Sequence, residues 1–469
     1  MNAGSHHSST ESEELLVETT NKPEGENLQK KLLPRHISFM AMGGVIGTGI
    51  FKGSAETIAL AGPGVVLTYL FGGILLLVVM GAIAELASVY PNRNMKDFVR
   101  QAFGPRPAFI VGWLYAFLML SVCVIEVTAA GSFLQYWMPG VPLWVLSLAS
   151  AALILGINRM SVETFGETEF WLAGIKIAMI VVFVILGAGL LFGLIPGASG
   201  DAPGLTNYTS HGGFLPNGWL SVFSALLVVM FSYGGSELIG LTLTEAKDAE
   251  KVMPRVVKSF ILRVVLFYTL PILIICGLIP WNQIAGQSSP FVQVLEATGL
   301  SGAAHIINFI LVTAVLSAAN SSIYGATRML HSMAAAGEAP KALGTTTATG
   351  VPVGSLRLCA FVLVIGAVIA FVAGDNLFSI LLAVPGFVVL IVWLSICLAQ
   401  IKLRPHYPKQ PTFRIWGYPY ITGITALLLA VIAAGFVIDP QNRLSIGVCV
   451  GVLILLIVWS VAKFKKTEE

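Results

Sequence analysis

Residues 43–51 read Gly-Gly-Val-Ile-Gly-Thr-Gly-Ile-Phe, with four glycines inside seven residues of an apolar run that extends from about 37 to 61. A second interruption, Phe-Ser-Tyr-Gly-Gly-Ser-Glu-Leu at 231–238, lies in the apolar run 218–244. An unwound helix frees backbone polar groups, which persist in lipid only where they line a polar cavity. Two such interruptions at corresponding positions of two halves are typical of a transporter site.

The freed backbone groups match a zwitterion. A half-helix that begins near Gly49 offers N–H donors to a carboxylate, and half-helices that end near Val45 and Phe231 offer carbonyls to an ammonium group. An amino acid carries both charges. The alternative is helix packing, because Gly43–Gly47 and Gly49–Gly53 also have the spacing that lets membrane helices approach closely.

Composition indicates an integral membrane protein. Of the 469 residues, 56% are apolar and only 11% are charged, too few to cover a soluble surface. The net charge of +3 is too small to indicate a nucleic-acid partner, and none is expected. The five cysteines lack metal or disulfide spacing, and no metal site is expected.

The apolar runs predict an all-α polytopic protein with twelve transmembrane spans. They lie at about 37–61, 64–90, 106–136, 141–159, 168–195, 218–244, 255–281, 300–333, 355–374, 376–403, 419–438 and 443–463. Of the 27 Lys and Arg residues, 24 lie at one face, Lys52 and Arg443 at the other, and Lys176 inside span 5. The positive-inside rule therefore predicts that both termini are cytoplasmic and that the chain is a multi-pass protein of the plasma membrane.

Several stretches resemble a known family. Residues 43–51 are similar to the first span of amino-acid permeases of the amino acid–polyamine–organocation superfamily, and 231–245 to the sixth. Ser-Ala-Ala-Asn-Ser-Ser at 317–322 resembles span 8, and Gly-Glu-Thr-Glu-Phe-Trp at 166–171, followed by Lys176, resembles span 5. The similarity covers about residues 30–405 and is strongest to the bacterial amino-acid transporter branch.

The resemblance implies a leucine-transporter-like fold with a 5+5 inverted repeat and broken helices 1 and 6. The repeats would occupy about 36–195 and 218–403 within a core of 34–405. A disordered cytoplasmic tail would precede the core at 1–33, and spans 11 and 12 with a short tail would follow at 406–469.

The resemblance also implies proton-driven uptake of an amino acid, with no cofactor beyond the proton as coupling ion. Thr48 and Gly49 would bind the substrate carboxylate. The carbonyls of Val45, Phe231 and Gly234 would bind its ammonium group, and Phe231 would close over it. The predicted substrate-binding residues are Val45, Gly47, Thr48, Gly49, Phe231, Ser232 and Gly234. Two departures, Pro91–Lys96 after span 2 and Gly81 within it, concern the expected inner gate.

Buried charges require a reason because each costs about 2.5–3.5 kcal/mol at the bilayer centre on insertion scales. Lys176 is expected to hydrogen-bond the freed carbonyls of span 1, or else to snorkel toward the cytoplasm. Glu237 either caps the second half of span 6 or joins a proton network, and Glu126 either carries a proton or bonds a neighbouring helix. Glu85 is expected to be structural. The predicted proton-coupling network is Lys176, Glu237, Glu126, Ser317 and Ser321, with the two serines contacting span 1 or Lys176.

The sequence thus favours a proton-coupled symporter that imports a neutral L-amino acid by alternating access in a lipid bilayer. An exchanger or a transporter-like sensor is the alternative. No hydrolase or metalloprotease motif is present in the sequence, so no enzyme activity is expected. No acid beyond Glu237 and Glu126 is placed to hold a cationic side chain, which is why a neutral substrate is preferred. The sequence assigns no oligomeric state.

Overall fold

The computed structural model describes residues 46–91, 93–160, 162–196, 204–238, 264–284, 288–299, 301–373, 377–439 and 442–465. Within these ranges the regular secondary structure is helical. The α-helices in chain order are α1 (Thr48–Phe51), α2 (Gly53–Ala61), α3 (Val65–Val89), α4 (Met95–Phe103), α5 (Pro105–Leu134), α6 (Leu143–Asn158), α7 (Val162–Leu191), α8 (Gly218–Ser224), α9 (Leu226–Tyr233), α10 (Leu270–Leu278), α11 (Pro290–Ala297), α12 (Ser301–Ala335), α13 (Val353–Ala373), α14 (Leu377–Leu403), α15 (Tyr420–Ile438) and α16 (Arg443–Lys465).

Seven helical segments among the described residues are long and apolar enough to cross a membrane. They are Gly53–Val89, Pro105–Leu134, Glu163–Leu191, Gly302–Ala335, Leu382–His406, Tyr420–Ile438 and Arg443–Lys465. Four shorter apolar helices lie at Leu143–Asn158, Gly218–Tyr233, Val265–Leu278 and Val353–Ile369. The number of full-length segments is below the predicted twelve because these four shorter helices correspond to the predicted spans 4, 6, 7 and 9. Predicted spans 1 and 2 also merge into one segment across a 3₁₀ turn at Gly62–Gly64.

Side chains fix both the start of α4 and its position against the end of α12. Asn94 caps α4, since its side chain accepts from the Lys96 and Asp97 amides while Asp97 accepts from the Asn94 amide. This reciprocal pair satisfies N–H groups that would otherwise lack a partner. The buried Lys96 ammonium lies 2.8 Å from Oε2 of Glu338, beyond α12, and Arg100 also pairs with Glu338. The unusual loop after span 2 thereby fixes α4 to the end of α12.

The long helices α5 and α12 pack against each other at the centre of the molecule, and α7, α13 and α14 pack around them. The short helix α1 contacts both α5 and α9. This arrangement brings the first glycine-rich stretch between the second one and the central pair. The outer faces of α7, α13, α15 and α16 expose large apolar side chains such as Ile185 and Leu455, which fits a surface covered by lipid hydrocarbon.

Candidate functional site

Span 1 is interrupted at the predicted glycines. Gly47 is extended, with φ −143° and ψ −151°, and α1 begins at Thr48, one residue before the predicted start. After four residues Lys52 interrupts the helix, and α2 continues from Gly53. Val45, a predicted ligand of the ammonium group, lies outside the described residues. The described part of the break therefore presents the Ile46 carbonyl on one side and the Thr48 amide on the other.

The Thr48 amide is already occupied by a carboxylate from α5. It donates to Oε1 and Oε2 of Glu126 at 3.0 and 3.1 Å, and the Thr48 hydroxyl donates to Oε2 at 2.6 Å. Glu126 is buried. Gly47 permits this contact, because a methyl group added there would lie 2.6 Å from Oε1. Glu126 thus occupies the position predicted for the substrate carboxylate.

Lys176 reaches the other side of the same break. Its side chain is fully buried, and Nζ donates to the Ile46 carbonyl at 3.2 Å. The snorkelling interpretation is wrong, since a snorkelling ammonium would lie in solvent. The carboxylates of Glu169 and Glu126 both act electrostatically on this ammonium group. A single lysine on α7 therefore connects the unwound backbone of span 1 to two acids.

Glu169 is a buried network residue that the sequence analysis did not select. It is fully buried on α7, seven residues before Lys176. Ser317 donates to its Oε1, and the Asn320 amide lies 3.4 Å from its Oε2. Asn158 in turn donates to Asn320 at 2.6 Å. A spacing of seven residues places two groups on one face of a helix, and this signal was available in the sequence.

The described part of span 6 ends in a non-helical turn directly after α9. The helix ends at Tyr233, and the Gly234 amide donates to the Phe231 carbonyl at 2.9 Å. Gly235 has φ +95°, a conformation that favours glycine. The Phe231 side chain packs against Ile125 and Leu382 in a small buried cluster. The predicted carbonyl ligand at Phe231 thus already accepts one hydrogen bond inside the turn, which leaves one lone pair.

The two interruptions touch at Gly49 and Ser232. A methyl group added to Gly49 would lie 2.5 Å from the Ser232 Cα, closer than real side chains approach. The Ser232 hydroxyl donates to the Val228 carbonyl at 3.0 Å. Gly49 therefore has the close-packing role that the spacing pattern offered as an alternative, and it holds α1 directly against α9.

Glu237 caps the turn that follows α9. Both of its carboxylate oxygens lie 3.2 Å from the Gly235 amide, and Trp393 on α14 donates to Oε2 at 3.2 Å. Glu237 is fully buried. The second half of span 6, which Glu237 was predicted to cap, lies outside the described residues, so the capping role and a role in proton coupling both stay predictions.

The two serines of span 8 differ in their hydrogen bonds. The Ser317 hydroxyl donates to Glu169. The buried Ser321 hydroxyl has no hydrogen-bond partner within the described ranges. On α12, Ala318 faces the break at Gly47, and the expected contacts of the two serines with span 1 or Lys176 stay predictions.

The break in span 1 touches the turn after α9, with buried acids and an ammonium group around free backbone groups, an arrangement typical of a membrane transporter. Residues 36–468 match the family model of amino acid permeases. The chain belongs to this family within the amino acid–polyamine–organocation superfamily, and its members are transporters rather than enzymes.

Three relatives from Bacillus subtilis (strain 168) show the extent of the similarity. The uncharacterized amino acid permease YvbW is 40% identical over 449 residues, 95% of this chain and 100% of the relative. The amino-acid permease RocE is 36% identical over 96% of this chain and 98% of the relative. The gamma-aminobutyric acid permease is 34% identical over 94% of this chain and 95% of the relative. The protein is accordingly a multi-pass membrane permease for an amino-acid substrate.

Proposed function

We propose that this permease is a proton-coupled symporter that imports a neutral L-amino acid across the plasma membrane. The observation that carries the proposal is the Glu126 carboxylate on the Thr48 amide and hydroxyl. A substrate carboxylate that binds this amide must displace Glu126. A buried carboxylate that loses its donors is strongly disfavoured unless it takes up a proton.

Substrate binding and proton uptake are thereby linked at one amide group. With Glu126 ionised, the internal carboxylate competes with the substrate. With Glu126 protonated, its hold on the Thr48 amide weakens and the substrate carboxylate takes its place. Lys176 keeps the Ile46 carbonyl fixed beside this exchange, and the substrate ammonium group would bind the free carbonyl lone pairs at Phe231 and Gly234.

The hydrogen bonds of the buried acids support a substrate with a neutral side chain. Glu126 is bound by Thr48, Glu169 by Ser317 and Asn320, and Glu237 by Gly235 and Trp393. Each described acid near the interruptions therefore already has donors of its own. A cationic side chain would have to break one of these sets of hydrogen bonds.

We further propose the twelve-span topology with an inverted 5+5 repeat and cytoplasmic termini. It is supported by the family and by the distribution of Lys and Arg. Single cysteines at positions 201 and 251, in a variant without the native cysteines, test it in intact cells. We expect an impermeant maleimide to label position 201 only, and the reverse pattern would contradict the topology.

The transport test uses purified protein in proteoliposomes with an acidic exterior and a panel of labelled neutral amino acids. We expect accumulation above the external concentration, abolished by a protonophore. Uptake that requires preloaded amino acid and ignores the pH gradient would identify an exchanger. Binding without flux in either mode would identify a sensor.

A further inference from the structure

A groove lies outside the transport site, between α3, residues 413–416 and α15. Its volume is about 480 Å³. Most of its wall is apolar, and Ile74 on α3 and Ile424 and Leu428 on α15 expose large parts of their side chains. Both helices belong to membrane-spanning segments. The groove is therefore open to the hydrocarbon of the bilayer.

The third wall of the groove is anchored firmly. Fully buried Glu85 on α3 accepts from the Ile415 amide at 2.8 Å, from Tyr407 at 3.1 Å and from Gln400 at 2.9 Å. Burial and the Glu85 carboxylate raise the pKa of the Tyr407 phenol, which keeps it a donor. Gly81 leaves room for this segment, because a methyl group there would lie 3.0 Å from the Ile415 side chain. These hydrogen bonds hold residues 413–416 in place against α3, so the groove has a fixed wall on this side.

The polar end of the groove is positively charged. Arg414 and Trp416 line it, and both side chains are exposed. The neighbouring Arg404 is already compensated, since its guanidinium group pairs with Glu85 at 3.3 Å. Arg414 therefore adds a positive charge where an apolar groove meets the end of α3. An indole ring beside a basic residue is typical of the membrane interface.

We propose that this groove binds an anionic phospholipid, with an acyl chain along α3 and α15 and the phosphate group on Arg414. The apolar walls select a lipid chain, and Arg414 selects a negative headgroup. The site is separate from the interrupted helices, so the proposal does not depend on the transport mechanism.

Quenching of tryptophan fluorescence by lipids with brominated acyl chains tests the proposal in nanodiscs. The chain has nine tryptophans, so the signal of Trp416 is taken as the difference between the protein and Trp416→Phe. We expect brominated phosphatidylglycerol to quench Trp416 with about fivefold preference over brominated phosphatidylcholine, which corresponds to about 1 kcal/mol for one arginine.

Three variants separate the site from general surface charge. Arg414→Gln should abolish the preference, and Arg414→Lys should retain most of it. Arg357→Gln removes another exposed arginine, on α13, and should leave the preference unchanged. Equal quenching by both lipids in the unmodified protein, or an unchanged preference in Arg414→Gln, would overturn the proposal. Release of the quenching by millimolar glycerol phosphate would also overturn it, because the site would then bind a free phosphate.

Discussion

The competition between Glu126 and the substrate carboxylate is testable through Glu126→Gln. A glutamine side chain has nearly the same shape and can still accept from the Thr48 amide, but it carries no charge and takes up no proton. If Glu126 competes with the substrate, its replacement should tighten substrate binding wherever Glu126 is ionised. The same replacement should remove the protonation step from the transport cycle.

The size of the effect follows from the hydrogen bonds of Thr48. Charge-assisted hydrogen bonds contribute about 1.5–3 kcal/mol each, against about 0.5–1.5 kcal/mol for neutral ones. The neutral amide should therefore hold the Thr48 donors about 1–2 kcal/mol less strongly. Because the substrate must displace this group, its apparent dissociation constant should fall about 5- to 30-fold.

The assay is equilibrium binding of the transported amino acid to purified protein across a range of pH. In the unmodified protein, affinity should fall as pH rises, because Glu126 loses its proton and competes. In Glu126→Gln the affinity should be high and nearly independent of pH, while accumulation driven by a pH gradient is lost. Glu296→Gln makes the same chemical change at an exposed position on α11 and serves as the matched control.

The result that would refute this reasoning is weaker substrate binding by Glu126→Gln at every pH. That outcome would mean that Glu126 binds the ammonium group of the substrate instead of competing with its carboxylate. Unchanged accumulation under a pH gradient would show that the proton is carried by another residue, with Glu237 and Glu169 as the next candidates.

Three further predictions concern positions with different roles. Lys176→Ala should lose proton-driven accumulation, and the pH dependence of its transport should flatten. Lys176→Arg should bind substrate but cycle poorly, because the arginine does not release its charge. An unaltered pH profile in Lys176→Ala would contradict this prediction. Gly49→Ala should destabilise the protein by about 1–3 kcal/mol through the clash with Ser232, and Gly49→Val by more, as measured by unfolding in detergent. Normal stability together with lost substrate binding would instead indicate that Gly49 contacts the substrate. Glu85→Gln should cost about 2–4 kcal/mol of stability because it leaves an arginine without its partner, whereas Glu296→Gln should change stability by less than about 0.5 kcal/mol.

The family, the helical class and the two interruptions were predictable from the sequence because each depends on local composition. Glycine clusters inside apolar runs mark the interruptions wherever the rest of the chain lies. The hydrogen bond from Lys176 to the break in span 1 also followed from the resemblance, since a buried ammonium group needs acceptors and the unwound backbone supplies them.

The partners of the buried acids were not predictable in the same way. Glu126 and Thr48 are 78 positions apart, and Glu169 and Ser317 are 148 apart. Periodicity indicates which face of a helix a side chain occupies but not which helix faces it. For this reason the sequence predicted a substrate carboxylate at the Thr48 amide, where the structure has Glu126, and it did not predict that Ser317 donates to Glu169.

The charge balance around span 1 links these observations to symport. At the break itself, the carboxylates of Glu126 and Glu169 act on the ammonium group of Lys176, and these three groups together carry one net negative charge when all are ionised. Burial of an uncompensated charge is costly. A zwitterionic substrate brings no net charge, so its arrival alone cannot compensate the excess. In the proposed cycle, one proton on Glu126 would both remove this excess charge and free the Thr48 amide for the substrate. The charge balance therefore supports the proposed symport over exchange, because exchange of zwitterions brings no proton to the excess charge.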